Sequence, residues 1–139
     1  MNVRQIQIND FEMGLMDLLG QLTEAPNIKF EDFVKQFIKF GYNTRIYVIE
    51  HEKRIIGYGS IYIDYKFYRN CKNVGHIEDL IIDEKFRGNG YSKLIVKELI
   101  EFGKEKECYK IILNCKDHYV GFYQKMGFKL NDNTMELRI

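Results

Sequence analysis

The amino-acid sequence predicts an α+β domain: a mixed, mostly antiparallel central sheet with about four flanking helices and one parallel strand pair. Three observations carry this expectation. Residues 44–64 read as a hairpin of β-branched and aromatic residues, residues 76–115 run strand, helix, strand, and amphipathic helical stretches precede the hairpin. A right-handed parallel crossover is the default for the strand, helix, strand order. With one proline in 139 residues, no internal repeat and no low-complexity segment, the chain 1–139 is expected to form a single domain.

Taken in order, VRQIQI (Val3 to Ile8) alternates apolar and polar as a half-buried strand does. Asn9 and Asp10 then supply N-cap chemistry for a helix through FEMGLMDLLGQL. In KFEDFVKQFIKFG, Phe30, Phe33, Val34, Phe37 and Ile38 form one apolar stripe and Gly41 stops the helix. Both helices are expected to cover one face of the sheet. TRIYVIEH and RIIGYGSIYID flank the polar pair Glu52 and Lys53 as an antiparallel hairpin. After the polar loop YKFYRNCKNVG, HIEDLIID (His76 to Asp83) reads as a further strand. YSKLIVKELIEFGKEKE sets Tyr91, Leu94, Ile95, Leu99 and Phe102 at helical spacing. CYKIILNC (Cys108 to Cys115) is a continuous apolar run, as in a strand covered on both faces. A short helix at YVGFYQKMG and a closing hairpin, FKL and TMELRI around Asn131 to Asn133, complete the pattern.

Composition excludes some functions. Lysine plus arginine (21) balance aspartate plus glutamate (20), and the net charge of +1 gives no bulk attraction to nucleic acid or an anionic membrane. Neither is expected as a partner, so an anionic ligand has to be held by a local cluster. The three cysteines, Cys71, Cys108 and Cys115, lack C-x-x-C spacing, which argues against a disulfide framework or a zinc site. No metal is expected. The N-terminal stretch has no apolar h-region, and no run of about 18 apolar residues occurs. A cytoplasmic location is the expectation.

The stretch KFRGNGYSKL (Lys85 to Leu94) sets an arginine and two glycines before a long amphipathic helix. Gly88 and Gly90 permit a sharp turn that leaves backbone N–H groups pointing at a ligand, at the positive end of the helix. No acidic residue occurs between Arg87 and Glu98, so the first turn favours an anion, most often phosphate. A P-loop requires G-x-x-x-x-G-K-[ST], whereas Lys93 follows serine and precedes leucine. The dinucleotide fingerprint fails because Lys93 takes the place of its third glycine, and because the crossover follows several antiparallel strands. The remaining pattern is [RQ]-x-x-G-x-[GA], met at Arg87 and Gly90 with Ser92 as the last small residue.

With that loop the sequence resembles the GNAT family of acyl-CoA-dependent acetyltransferases. GQLTE, KF after the hairpin, GHIEDLIID, CYKIIL, VGFYQKMGF and the terminal arginine are similar, from about Gly20 onward, to family members that acetylate glucosamine 6-phosphate. The resemblance implies the GNAT fold, acetyl-CoA as acetyl donor and direct attack by the 2-amino group of that amino-sugar phosphate, on the route to UDP-N-acetylglucosamine. It also implies a homodimer with shared active sites.

The same resemblance assigns residues. Arg87, Gly88, Asn89, Gly90, Tyr91 and Ser92 would cradle the CoA pyrophosphate, and the backbone of Leu80, Ile81 and Ile82 would bind the pantetheine arm. The N–H near Leu80 would face the thioester carbonyl, and Tyr123 would supply a proton to the CoA sulfur. A bulge in this strand would turn both Glu78 and Asp79 toward the substrate amine. Thr23, the stretch Lys66, Phe67, Tyr68 and Arg69, then Tyr109, Lys110 and Arg138, would contact the sugar phosphate. Asn114 stands where relatives carry an acidic residue that orients the amine, and Tyr119 where an asparagine usually contacts CoA.

Read singly, these residues have plainer explanations. The basic residues are solvated surface charges, Tyr123 is one of ten tyrosines, Cys108 and Cys115 are buried thiols, and His76 and His118 are satisfied structural histidines. Two other readings follow: transfer to another amine, such as a polyamine or a protein N-terminus, and a non-catalytic CoA-binding module, motivated by Asn114 and Tyr119.

Overall fold

A computed structural model describes residues 2–139. β1 (Asn2–Gln5) leads into a 3₁₀ segment (Ile8–Met13), α1 (Leu15–Leu19) and α2 (Phe30–Phe37). β2 (Thr44–His51) and β3 (Arg54–Asp64) follow, then a single turn, α3 (Tyr68–Cys71), and β4 (Asn73–Ile82). A 3₁₀ turn (Glu84–Phe86) precedes α4 (Tyr91–Glu105), and β5 (Cys108–Leu113), another 3₁₀ turn (Asp117–Tyr119) and α5 (Val120–Lys125) complete the elements. The strands lie in the order β1-β2-β3-β4-β5. All pairs are antiparallel except β4 with β5, as the strand, helix, strand reading expects. At the β2–β3 turn, Glu52 and Lys53 both take positive φ, 47° and 60°, which a two-residue type I′ hairpin requires.

Helix α4 builds the main core. Its Ile95, Val96, Leu99 and Phe102 are buried against Ile49, Ile56, Ile61, Ile63, Ile77 and Ile82 of the sheet. Each such side chain contributes roughly 1.5–3 kcal/mol by leaving water. The close approach depends on Gly59, where a Cβ would stand 2.7 Å from Ile95 Cγ2. On the opposite face, Leu15 and Leu18 of α1 pack on Val48, Ile55 and Ile81.

Several expected elements differ. The first helix is divided at Gly14, whose φ of +81° ends the 3₁₀ segment. Asp10 is not its N-cap; it is fully buried at the third position, where it accepts from the Gln7 N–H at 2.7 Å and grips Arg4 at 2.7 and 3.0 Å. Helix α2 has no buried residue and covers little of the sheet: its Phe33 rests on Phe11 of the 3₁₀ segment, ring centroids 4.9 Å apart, and reaches the margin of the cluster that α1 forms with the sheet. β5 is open on one face, where Lys110 and Ile112 are exposed, because nothing among the described residues packs over it. The closing hairpin does not form. Residues 128–139 carry no strand and β5 stays at the sheet edge, while Leu130, Met135, Leu137 and Ile139 are exposed. A strand as short as FKL makes few ladder bonds, and the alternating apolar residues after it find no surface in the chain to bury against.

Candidate active site

β3 and β4 fall out of register between Tyr58, opposite Ile81, and Ser60, opposite Glu78, so that Gly59 alone faces Asp79 and Leu80. This is a bulge of two residues against one, and Asp79 takes the left-handed conformation, φ 57°. Its effect is the one expected from sequence: Glu78 and Asp79 are both exposed instead of alternating, and Leu80 turns half inward. The space opposite is kept by Gly59, whose Cβ would meet Leu80 Cδ1 at 3.1 Å. Burial, followed by the charge of Asp79, raises the Glu78 carboxyl above its usual range. On β3, burial and Asp79 push the Tyr58 phenol up to about 12.

Beyond Ile77, paired with Leu113, β5 ends while β4 runs on to Ile82. The strands thus part, and the β5-facing edge of Leu80, Ile81 and Ile82 is left to offer backbone groups to a ligand. The gap opens into a cavity of about 890 Å³ that Glu78, Asp79, Asn114, Tyr119 and Tyr123 also line.

The glycine loop closes one end of this cavity. Asp83 caps the turn before it, accepting from the Lys85 N–H at 2.9 Å, and Arg87 Nε donates to the Ile82 carbonyl at 2.9 Å. Asn89 braces the loop from outside the cavity lining, its amide donating to the carbonyls of Phe86 and Arg87 at 3.0 and 3.3 Å. Gly88 and Gly90 need glycine for conformation, φ 80° and 81°, and a Cβ on either would find nothing within 4 Å. Their open side belongs to the cavity, as do Arg87, Tyr91 and Ser92. No side chain caps α4 and its first turn holds no acid, so its leading N–H groups remain available to an anion.

At the other wall, burial, aided by Cys115 and Tyr119, pushes the Tyr123 phenol up to about 12, so it stays an O–H donor at neutral pH. The Tyr119 ring lies tilted against His118, centroids 4.1 Å apart and planes 43° from parallel. Asn114 accepts from the Thr134 hydroxyl at 2.7 Å, which ties the cavity to the C-terminal segment. Neither thiol is buried as expected: Cys115 is exposed at the cavity and Cys108 is half-buried.

The remaining expected residues gather elsewhere. Arg69 lies over the Tyr109 ring at 4.6 Å, Lys110 reaches the same ring at 5.6 Å, and Tyr68 meets its edge at 6.4 Å. Lys66 points to the Tyr68 ring at 5.9 Å, and Phe67 is wholly exposed. Thr23 sits in the exposed segment after α1. Arg138 joins neither group; it pairs with Glu136 at 2.7 Å on the exposed C-terminal segment. Sequence reasoning missed Gln21, which lines the cavity and accepts from the Glu84 N–H at 2.9 Å, and Asp64, which holds Lys66 at 2.8 Å. Asp64 was detectable, since it shares the polar face of β3 with Tyr58, Ser60 and Tyr62.

A parted strand edge beside a glycine-led, uncapped helix N-terminus defines an acyl-transferase architecture. Residues 5–128 match the acetyltransferase (GNAT) family, and the chain belongs to that family. Among its relatives, the glucosamine 6-phosphate N-acetyltransferase of Arabidopsis thaliana is 39% identical over 130 residues, spanning 90% of this chain and 87% of that protein. The enzyme of the same name from Trypanosoma brucei brucei is 34% identical over 140 residues, 99% of this chain and 95% of that one. The crystal structure of the Arabidopsis thaliana enzyme matches the fold with a TM-score of 0.95 at 37% identity, covering 99% of this chain and 97% of that one.

Proposed function

We propose that the chain acetylates the 2-amino group of glucosamine 6-phosphate with acetyl-CoA, yielding N-acetylglucosamine 6-phosphate on the route to UDP-N-acetylglucosamine. The observation that carries this reading is similarity over nearly the whole chain to enzymes named for that reaction. The glycine loop and the first turn of α4 hold the CoA pyrophosphate, and the parted edge of Leu80, Ile81 and Ile82 holds the amides of its arm. Glu78 and Asp79, turned outward together by the bulge, draw in the cationic amine and accept its proton. The Leu80 N–H stabilises the charge that develops on the thioester oxygen. As the C–N bond forms and the C–S bond breaks, the Tyr123 phenol provides the proton for the departing sulfur. The transfer is direct, without an acyl-cysteine.

We infer a homodimer that shares its acceptor sites. Tyr109, with Arg69 and Lys110 around it, and Asn114 stand at opposite ends of β5, roughly 16 Å apart at about 3.3 Å per residue. The open β5 edge and the exposed Leu130, Met135, Leu137 and Ile139 offer a surface that a second copy would cover. A tail donated across the dimer would bring Arg138 to the phosphate of the partner's acceptor. Among the described residues no helix is long and apolar enough to cross a membrane, and free thiols at Cys71, Cys108 and Cys115 suit the reducing cytoplasm, where we place the reaction.

The test compares CoA release with glucosamine 6-phosphate, glucosamine and a lysine peptide at equal concentration. A kcat/KM at least about 100-fold higher for the phosphorylated sugar is expected, the worth of one or two charge-assisted phosphate contacts. Equal values for the two sugars would overturn the substrate assignment.

A further inference from the structure

The face of β3 and β4 opposite α4 holds a cluster that the transfer chemistry leaves unused. A single oxygen of Asp64, Oδ2, faces two basic side chains: Lys66 Nζ at 2.8 Å and His76 Nε2 at 3.7 Å. The His76 ring is fixed by stacking on Tyr62, its cross-strand neighbour, with centroids 4.4 Å apart and planes 11° from parallel. The backbone N–H of Lys66 is anchored to the Asn73 side chain at 3.4 Å. The lysine thus has a fixed root, and the carboxylate at its tip is shared with a histidine.

The groups facing His76 can be named from each neighbouring element. β3 supplies Tyr62 and Asp64, the loop beyond it Lys66, and β4 itself Glu78, whose carboxyl the histidine charge steadies. β5 places Ile112 opposite it, with Lys110 two residues earlier on that strand. Asp64 is held below the usual carboxylate range, chiefly by its bond to Lys66. A neutral His76 leaves the full charge of Asp64 on Lys66. A protonated one offers that carboxylate a second cation.

We propose that His76 and Asp64 are positioning residues that control Lys66 by proton occupancy, so that a phosphate monoester engages Lys66 together with proton uptake at His76. This rests on the reading of Lys66 as a contact for the acceptor's phosphate. With His76 neutral, an incoming dianion competes with Asp64 for Lys66 and is repelled by it. With His76 charged, Asp64 has a second partner, its repulsion is offset, and Lys66 is free to turn to the phosphate. Histidine is the side chain whose charge state is most readily moved by its neighbours near neutral pH. By linkage, a ligand that favours the protonated form binds more tightly as pH falls.

The experiment measures binding of glucose 6-phosphate, which lacks the amine, to the full-length protein at pH 8.0 and 6.5 by calorimetry in buffers of different ionisation enthalpy. The phosphate's own second ionisation, near pH 6, is common to all variants and cancels in their ratio. The ratio of Kd for His76→Gln to that of the unaltered protein is expected to be near one at pH 8.0. It should rise to roughly three- to tenfold at pH 6.5, with proton uptake seen only in the unaltered protein. Asp64→Asn should abolish the uptake as well, which decides the matter if His76→Gln fails to fold. A Kd ratio that does not change with pH, or equal uptake by the unaltered protein and Asp64→Asn, overturns the proposal. Should glucose 6-phosphate bind no better than glucose, the phosphate reading of Lys66 falls and the proposal with it; phosphate-dependent binding without proton uptake removes the proposal alone.

Discussion

The two ends of the β4–β5 pair are built to different degrees of completion. At the parted end every part of the coenzyme cradle comes from one chain: the bulge opposite Gly59, the Arg87 side chain tied to Ile82, the paired glycines and the uncapped α4. Around the loop Asp64 to Asn73, cations and aromatic rings meet one another, Phe67 is wholly exposed, and Arg138 stands apart on an exposed tail. On the proposed reading, the donor site is a property of the fold, whereas the acceptor site would be completed only by a second copy of the chain. A coenzyme common to a whole family can be met by backbone geometry. A particular sugar phosphate needs side chains, and several candidates for that role are exposed, on the loop before β4 and on the C-terminal segment.

The largest test of this contrast concerns Tyr123. Tyr123→Phe removes one hydroxyl from the finished end, and kcat is expected to fall by about 100-fold or more, the usual worth of a placed general acid, while the Kd for CoA stays within about twofold. Rapid-quench turnover with calorimetry on the same variant checks it; unchanged kcat would remove the phenol from the reaction. A smaller effect is expected at the other end. Ending the chain at Lys129 removes Arg138 and the apolar tail. The acceptor KM should then rise about tenfold or more, and a dimer should become a monomer by light scattering, while CoA binding is retained. Loss of CoA affinity in proportion to acceptor affinity would break the contrast, since the tail would then serve both sites.

The same contrast explains what was legible in the sequence. Local signals sufficed for the finished end: the turn pair Glu52 and Lys53, the glycines at 88 and 90, and the acid-free first turn of α4 are all written in adjacent residues. The bulge at Glu78 and Asp79 follows only from the family resemblance and not from local signals, since the space it needs is kept by Gly59 on another strand. Features that depend on what packs where were not legible. The apolar run CYKIILNC reads as a doubly covered strand, yet Lys110 and Ile112 on one face of β5 are exposed, since α5, which follows, packs toward the core beside Ile111 and Leu113. TMELRI alternates as a strand does, but alternation specifies only that a partner is needed, not that the chain contains one. Helix α2 has an amphipathic stripe, and its Phe33 meets Phe11 and the edge of the α1 cluster instead of lying across the sheet.

The smallest expected effect links the two ends through Glu78, which lies on the bulge and shares a strand face with His76. Its carboxyl is raised, first by burial and then by Asp79, so the folded protein holds that proton more tightly than the unfolded chain does. A raised group contributes stability that is complete below the unfolded value, about 4.3 for glutamate, and that is lost as pH rises through the folded one. At neutral pH the ionised Glu78 is therefore a stability liability, one that the proposed role in accepting the amine's proton would account for. Glu78→Gln should lower kcat/KM with glucosamine 6-phosphate while raising the melting temperature at pH 7 slightly, and the thermal gain should shrink toward zero as pH falls below about 4. Thermal melts from pH 3.5 to 8 test the sign. A gain that grows on acidification would mean that the folded site favours the carboxylate, as Lys66 makes it do for Asp64, and that the amine meets a site already neutralised from the phosphate end.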